Sequence, residues 1–247
     1  MNDNKVAAII LGAGRGTRMK SDLPKVMMPV GGKPMIRHIL DTLEEIKVDK
    51  IVTVIAPDGD MVKKEVAPYP TCVQEKQLGT GHAVVAARSE LFGFKGDVLV
   101  IFGDQPLYTK DTMQKLLKKR REGYAVVCLG FRPKDPARYG RLIMNGSNLE
   151  RIVEFKDATD EEKAIDLCNS GMMCFDGEKL FEILAAISNE NAAGEYYLTD
   201  AVEVALRKGL KCSAVECPVE EASAANTLEE LALLEELLQK RNAQKGK

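Results

Sequence analysis

Short apolar runs alternate with helical stretches through the first half of the chain. Residues 6–11, 51–56 and 98–102 are strand-length and almost wholly apolar, while residues 35–46, 61–66, 81–91 and 111–121 read as helices. Alternation of this kind joins parallel strands through crossover helices, so the pattern predicts an α/β fold. The rhythm then changes. Residues 125–130, 141–144, 149–155 and 171–175 follow with few helices between them, which predicts an antiparallel or mixed β extension able to cover a substrate. Near the end, leucines at 228, 231, 234, 237 and 238 form a helical stripe behind Asn226, a residue suited to an N-cap. The expected organisation is a main unit over 1–226 followed by a C-terminal helix and tail over 227–247. That helix is expected to pack on its own domain, with residues 241–247 fraying.

Composition narrows the function classes. The 247 residues carry 35 basic and 37 acidic side chains, for a formal charge of −2, without a block of either sign or an arginine–aromatic strip. A nucleic-acid groove is therefore not expected. The longest apolar runs fall far short of the roughly 20 residues of a membrane span, and the N-terminus lacks a secretory pattern. The expected location is the cytoplasm, with no membrane partner. Six cysteines, none in a C-x-x-C pair, read as buried reduced thiols rather than a zinc cage or disulfide framework.

Two places carry candidate chemistry. After the first strand comes Leu11-Gly12-Ala13-Gly14-Arg15-Gly16-Thr17-Arg18, a glycine turn whose N–H groups could face an anion. Its glycines do not follow the G-x-G-x-x-G spacing of a dinucleotide loop, and no G-K-[ST] closes it as in a P-loop. Arg15, Arg18 and Lys25 cluster around the turn, cations suited to a triphosphate and a leaving pyrophosphate. The alternative is an ordinary β–α turn with solvated basic residues. Second, the run 98–102 ends in Gly103-Asp104, which puts a carboxylate at the carboxyl end of a central strand, where open α/β sheets bind ligands. Asp104 is a candidate ligand for Mg2+, which takes one or two protein oxygens beside phosphate and water; the alternative is a loop cap or turn Asp.

The segments Leu11 to Arg18, Leu23-Pro24-Lys25 and Gly31-Gly32-Lys33-Pro34 resemble the signature of the sugar-nucleotide pyrophosphorylases. Further motifs resemble one subfamily, the bacterial N-acetylglucosamine-1-phosphate uridylyltransferases: Gln77 to Ala83, Tyr139-Gly140-Arg141, Ile152 to Thr159, Asn169-Ser170-Gly171 and Gly194 to Asp200. The resemblance runs in order from about residue 5 to about residue 235. It implies a Rossmann-like nucleotidyltransferase fold with a mixed central sheet and a small substrate-covering β extension. It also implies a cytoplasmic enzyme of cell-wall precursor synthesis that joins UTP and a sugar-1-phosphate with Mg2+ as cofactor. The implied roles fall on residues matched one by one. Leu11, Gly12, Ala13, Gly14 and Gln74 would hold the nucleotide, with Gly79 and Thr80 completing the base and ribose pocket and Gly103 beside them. Lys25 would touch the α-phosphate, and Arg15 and Arg18 the departing pyrophosphate. Asp104 and Asn226 would be the metal ligands, with Asn226 also against substrate. Gly140, Glu154 and Asn169 would bind the sugar phosphate, with Tyr197 and Thr199 as neighbours.

The chain departs from that pattern in three respects. Ala224 and Ala225 stand where a glycine and an aliphatic residue usually precede Asn226. Gln105 replaces a commoner small aliphatic residue, a local echo of molybdopterin cytidylyltransferases that leaves nucleobase choice open. The left-handed β-helix of the bifunctional bacterial enzymes does not follow, so no acetyltransferase activity is expected. His82 and His38 read as structural, Glu154 as a sugar contact rather than half of an acid/base pair with Asp157, and oligomerisation is left open. Two other readings remain: another sugar-1-phosphate or nucleotide on the same fold, and a non-catalytic sugar-nucleotide sensor. The second has less use for Arg15, Arg18, Lys25 and Asp104 together.

Overall fold

The apolar runs become the strands of one mixed sheet in the computed structural model, which describes residues 5–14, 16, 19, 21–136, 139–191 and 193–245. β1 (Val6–Leu11) leads through the glycine turn to a two-residue hairpin, β2 (Pro29–Val30) and β3 (Lys33–Pro34), and then to α1 (Met35–Glu45). β4 (Lys50–Ile55), α2 (Asp60–Glu65), β5 (Thr71–Val73) and α3 (Thr80–Ala86) follow, then β6 (Asp97–Phe102), α4 (Lys110–Arg120) and β7 (Val126–Phe131). A hairpin of β8 (Arg141–Asn145) and β9 (Asn148–Val153) precedes α5 (Asp160–Lys163) and β10 (Cys168–Asp176). The chain finishes through α6 (Gly177–Leu184), α7 (Ala201–Arg207), β11 (Cys212–Glu216) and α8 (Leu228–Lys245).

The order across the sheet is β11-β7-β10-β6-β1-β4-β5. β1 pairs in parallel with β4 and β6, β4 with β5, and β7 with β11. β10 runs antiparallel between β6 and β7. Alternation of side chains along each strand builds a core on both faces. Ala7, Ile9, Val98, Val100 and Phe175 pack with α3, α6 and α7 on one side; Ala8, Ile10, Leu99, Ile101 and Cys174 pack with α1 and α4 on the other. Burial on both faces explains why these strands read as unbroken apolar runs.

Three expectations need correction. Residues 126–131 and 168–176 are not part of a covering extension but central strands of the main sheet; the extension is the β8–β9 hairpin, tied to β10 through Cys168 and Arg141. The helix expected over 81–91 is shorter, because the chain turns after Ala86 toward Gly93 at φ +72°. The tail does not fray at 241. α8 continues to Lys245, and the Arg241 guanidinium donates to the Leu107 carbonyl at 2.9 Å. α8 packs on the body through Leu234 and Leu238 against Met28, Val30 and Met35.

Candidate active site

The site begins where β1 and β6 end side by side, with Leu11 opposite Phe102. Gly12 donates to the Val54 carbonyl at 2.8 Å and Gly103 to the Leu11 carbonyl at 2.9 Å. A Cβ on Gly103 would fall 2.6 Å from the Val26 side chain and 2.9 Å from Leu11 O, so this position needs glycine for close packing. The loop beyond is braced by Gln77, whose Nε2 donates to the Ala13 carbonyl at 2.7 Å. Leu11, Ala13, Gly14, Gln74, Gly79 and Thr80 then surround a hollow of about 270 Å3 whose far wall is Lys25 and Asp104. Gln74 is buried, its amide nitrogen 3.1 Å from Gly79 O and 3.3 Å from His82 Nδ1. His82 thus supports Gln74, and His38 holds the Val30 carbonyl at 2.8 Å; both are structural.

At that wall three segments converge on one cation. The Lys25 ammonium donates to Asp104 Oδ2 and, at 2.8 Å, to Asn226 Oδ1. The lysine opens a single 3-10 turn over 25–27, Asp104 follows the end of β6, and Asn226 sits on a strap fixed where Ala225 N–H meets Asp104 O at 3.2 Å. Asn226 is therefore not the helix cap. Thr227 Oγ1 accepts from Glu230 N at 3.2 Å, while Asn226 N donates to the Glu230 carboxylate at 2.6 Å, which leaves the Asn226 side chain to face Lys25. Two hard oxygens from distant segments meeting at one positive charge fit the few protein ligands that Mg2+ takes. Among the described residues no cluster of three or more His, Cys, Asp or Glu could hold a metal. One carboxylate with one amide oxygen is the donor set available.

A second cavity of about 850 Å3 opens on the other side of Phe102, sharing Thr80, Phe102 and Glu195 with the first. Glu154, Asn169, Tyr197 and Thr199 line it. Burial raises the Glu154 pKa; the hydrogen bond from Thr199 Oγ1 at 3.4 Å works against this, and nearby Asp157 adds to it. A carboxyl held like this is an acceptor for hydroxyls. Gly140 lies beneath it, where a Cβ would come 3.4 Å from Glu154 Oε2. Asn169 reaches the cavity because β10 bulges: the register shifts between Asn169 and Met173, and Gly171 takes φ +100° against the Phe102 ring. Asn169 Oδ1 accepts from Gly171 N at 3.0 Å, which braces the bulge.

The expected residues with a described position line these two hollows except Gly12, Gly103, Gly140 and Asn226, which line neither. Gly12 is packed against Val54 O and Gly103 against Val26 and Leu11 O, and Thr80 Oγ1 is engaged by Leu198 N–H at 2.9 Å. Arg15 and Arg18 lie outside the described residues. Gln105 lines neither hollow, so it does not read a nucleobase directly; it is buried behind Asp104. Glu195, Gln77 and Arg141 lie in motifs that by themselves imply no role for them. Glu195 lines both hollows, Gln77 braces the glycine loop, and Arg141 is buried, its guanidinium holding the carbonyls of Pro136, Tyr139 and Lys163 beneath the larger cavity. Buried backbone clamps leave no local pattern, so sequence alone does not single them out.

Residues 8–199 match the model of the MobA-like NTP transferase domain. The chain is 48% identical over 243 residues to the "Bifunctional protein GlmU" of Paramagnetospirillum magneticum, covering 98% of this chain and 54% of that protein. The protein of the same name from Rhodospirillum rubrum is 50% identical over 244 residues, covering 98% and 55%. The chain thus spans about half the length of the curated relatives it matches. Among solved structures, a putative glucose-1-phosphate thymidylyltransferase from Bacillus anthracis, in complex with a sucrose, superposes with a TM-score of 0.77 at 22% identity, covering 94% of each chain. That likeness concerns the fold.

Proposed function

Because the chain belongs to the MobA-like NTP transferase domain family, we propose that it is a nucleotidyltransferase joining UTP to N-acetylglucosamine-1-phosphate, with release of pyrophosphate. The observation that carries this reading is the meeting of Lys25, Asp104 and Asn226 at the wall of the hollow bordered by the glycine loop, beside an adjoining hollow lined by Glu154 and Asn169. A nucleotide fits the first and a sugar phosphate the second, so their phosphates meet at the junction. The relatives at 48 and 50% identity support the choice of nucleotide and sugar.

A phosphate oxygen of the sugar phosphate attacks the α-phosphorus of UTP; the bond to the bridging oxygen of the β-phosphate breaks, and pyrophosphate carries the electron pair away. Such transfer needs positioning and charge neutralisation more than covalent help. Lys25 moves its ammonium from Asp104 and Asn226 to the α-phosphate. Glu154 and Asn169 orient the sugar, while Gln74 and the backbone at Gly79 hold the base. Asp104 and Asn226 would hold Mg2+, which when bound neutralises charge shared between the α-phosphate and the leaving group. Arg15 and Arg18 belong by sequence to the pyrophosphate end.

The test is pyrophosphate release from UTP and N-acetylglucosamine-1-phosphate with Mg2+, run beside EDTA, CTP, glucose-1-phosphate and Asp104→Ala. Metal-dependent release with the first pair, lost in the variant, is expected. Preference for another pair would keep the chemistry and overturn the substrate, whereas saturable binding without turnover would make the chain a sensor.

A further inference from the structure

Gln105 is among the few buried polar residues, and it lines neither hollow. Its amide nitrogen donates to Ser170 O at 2.6 Å and lies 3.4 Å from Ala222 O. Ser170 is in the β10 bulge, next to Asn169 on one side and Gly171 on the other. Ala222 is in the strap that delivers Asn226, and Gln105 itself adjoins Asp104. One side chain therefore touches all three segments whose relative placement sets the distance between the metal-suited oxygens and the sugar cavity. Tyr108 OH adds a second donor to Ser170 O at 3.4 Å, and Glu221 is fixed by Thr109 at 2.9 Å, so neighbouring contacts hold the same segments to the body.

The contact is not an obvious gain in stability. Gln105 Oε1 is buried without a hydrogen-bond partner, and an unpaired buried carbonyl carries a desolvation penalty that offsets what the amide nitrogen gains. A residue that contributes little to folding but ties three segments together is better explained by geometry at the site. We propose that Gln105 is a positioning residue that sets the Asn169–Gly171 bulge against the Asp104 turn and the Asn226 strap, and so places the sugar phosphate for attack. The inference rests on the function proposed above.

Two variants test it: Gln105→Met keeps the side-chain length and removes both amide atoms, and Gln105→Val removes them together with most of the length. Both variants should melt within a few degrees of the parent, since the unpaired carbonyl goes with the donor. Their KM for the sugar phosphate should rise about tenfold while KM for UTP changes less than about twofold, the signature of a misplaced second substrate. Equal changes in both constants, or none, would overturn the proposal. A reading independent of turnover is amide exchange: in either variant residues 169–172 and 222–226 should exchange faster together, and acceleration of only one segment, or of neither, would sink the coupling. A parent chain that turned over no sugar phosphate would overturn the uridylyl reading, and exchange would still decide this one.

Discussion

Asp200 stands just behind the larger cavity, at the start of α7, with Glu203, Glu154 and Asp157 close enough to oppose its charge. Burial, followed by those carboxylates, raises its pKa from 3.8 to about 6, with Arg207 pulling the other way. Between those two values the native carboxyl keeps a proton that the unfolded chain has released. Asp200 therefore costs the fold nothing below about pH 4, a growing amount as pH rises to about 6, and a constant amount above that. Asp200→Asn should melt beside the parent near pH 4 and above it near pH 8. Thermal melts across that interval check it, and a gap that stays constant with pH would mean the charge is compensated by a group not counted here. The carboxylate was visible in the sequence as the last residue of the motif Gly194 to Asp200, but its environment was not. Residues near 154, 157 and 203 come together only when β9, α7 and the loop between them are folded. Lys25 and Asp104 were legible for a different reason: each adjoins a strong local signal, a glycine turn or the end of an apolar strand. Thr80 was legible as a position and not as a contact, because its hydroxyl serves Leu198 in a segment more than a hundred residues away.

Among the elements, the one on which the site depends most is the start of α3. Tyr196 N–H meets Leu78 O at 2.8 Å and Gly81 N–H meets Tyr196 O at 2.8 Å, so the 194–199 loop is stitched to the helix that borders both hollows. Gly79 stands between those bonds at φ +109°, and a Cβ there would lie 2.5 Å from Tyr196 O. Gly79→Ala suffers both the backbone strain and the collision, so a loss of at least ~2 kcal/mol in urea unfolding is expected. Gly93→Ala is the control: it shares a positive φ of +72° but meets nothing within 4 Å, so its cost should stop near ~1 kcal/mol. If the two lost the same amount, strain alone would account for Gly79 and the stitch would be irrelevant. At this scale the long buried strands announced themselves, because an apolar run buried on both faces has no polar alternation to obscure it. β5 has three residues and β11 sits at the sheet edge with a half-exposed end, and neither stands out from its surroundings. The bulge in β10 depends on Gly171 pressing against Phe102, a contact between strands that no local pattern encodes.

At the scale of the whole molecule, the glycine turn and the strap at Asn226 lie some two hundred residues apart and become neighbours through a third core. Leu234 and Leu238 of α8 fill a pocket made by Met19, Met28, Val30 and Met35, and the same helix holds Asn226 through the carboxylate of Glu230. Leucine spacing showed that a helix would form, but not which surface would receive it, since the receiving residues belong to the first turn and the first hairpin. α8 is thus both a closing element of the fold and the support for one of the two oxygens facing Lys25. Leu234 is fully buried, so Leu234→Ala should cost ~2–4 kcal/mol by transfer and cavity terms. If the helix acts on the junction as well as on the body, the Mg2+ concentration for half-maximal rate should rise several-fold in this variant. KM for the sugar phosphate at saturating Mg2+ should stay near the parent value, because β10 and the 194–199 loop pack elsewhere. Thermal melts with a metal titration at two substrate concentrations separate these effects. Parallel loss of metal and sugar affinity would instead mean that α8 stabilises the body evenly, and that Asn226 owes its place to the strap alone.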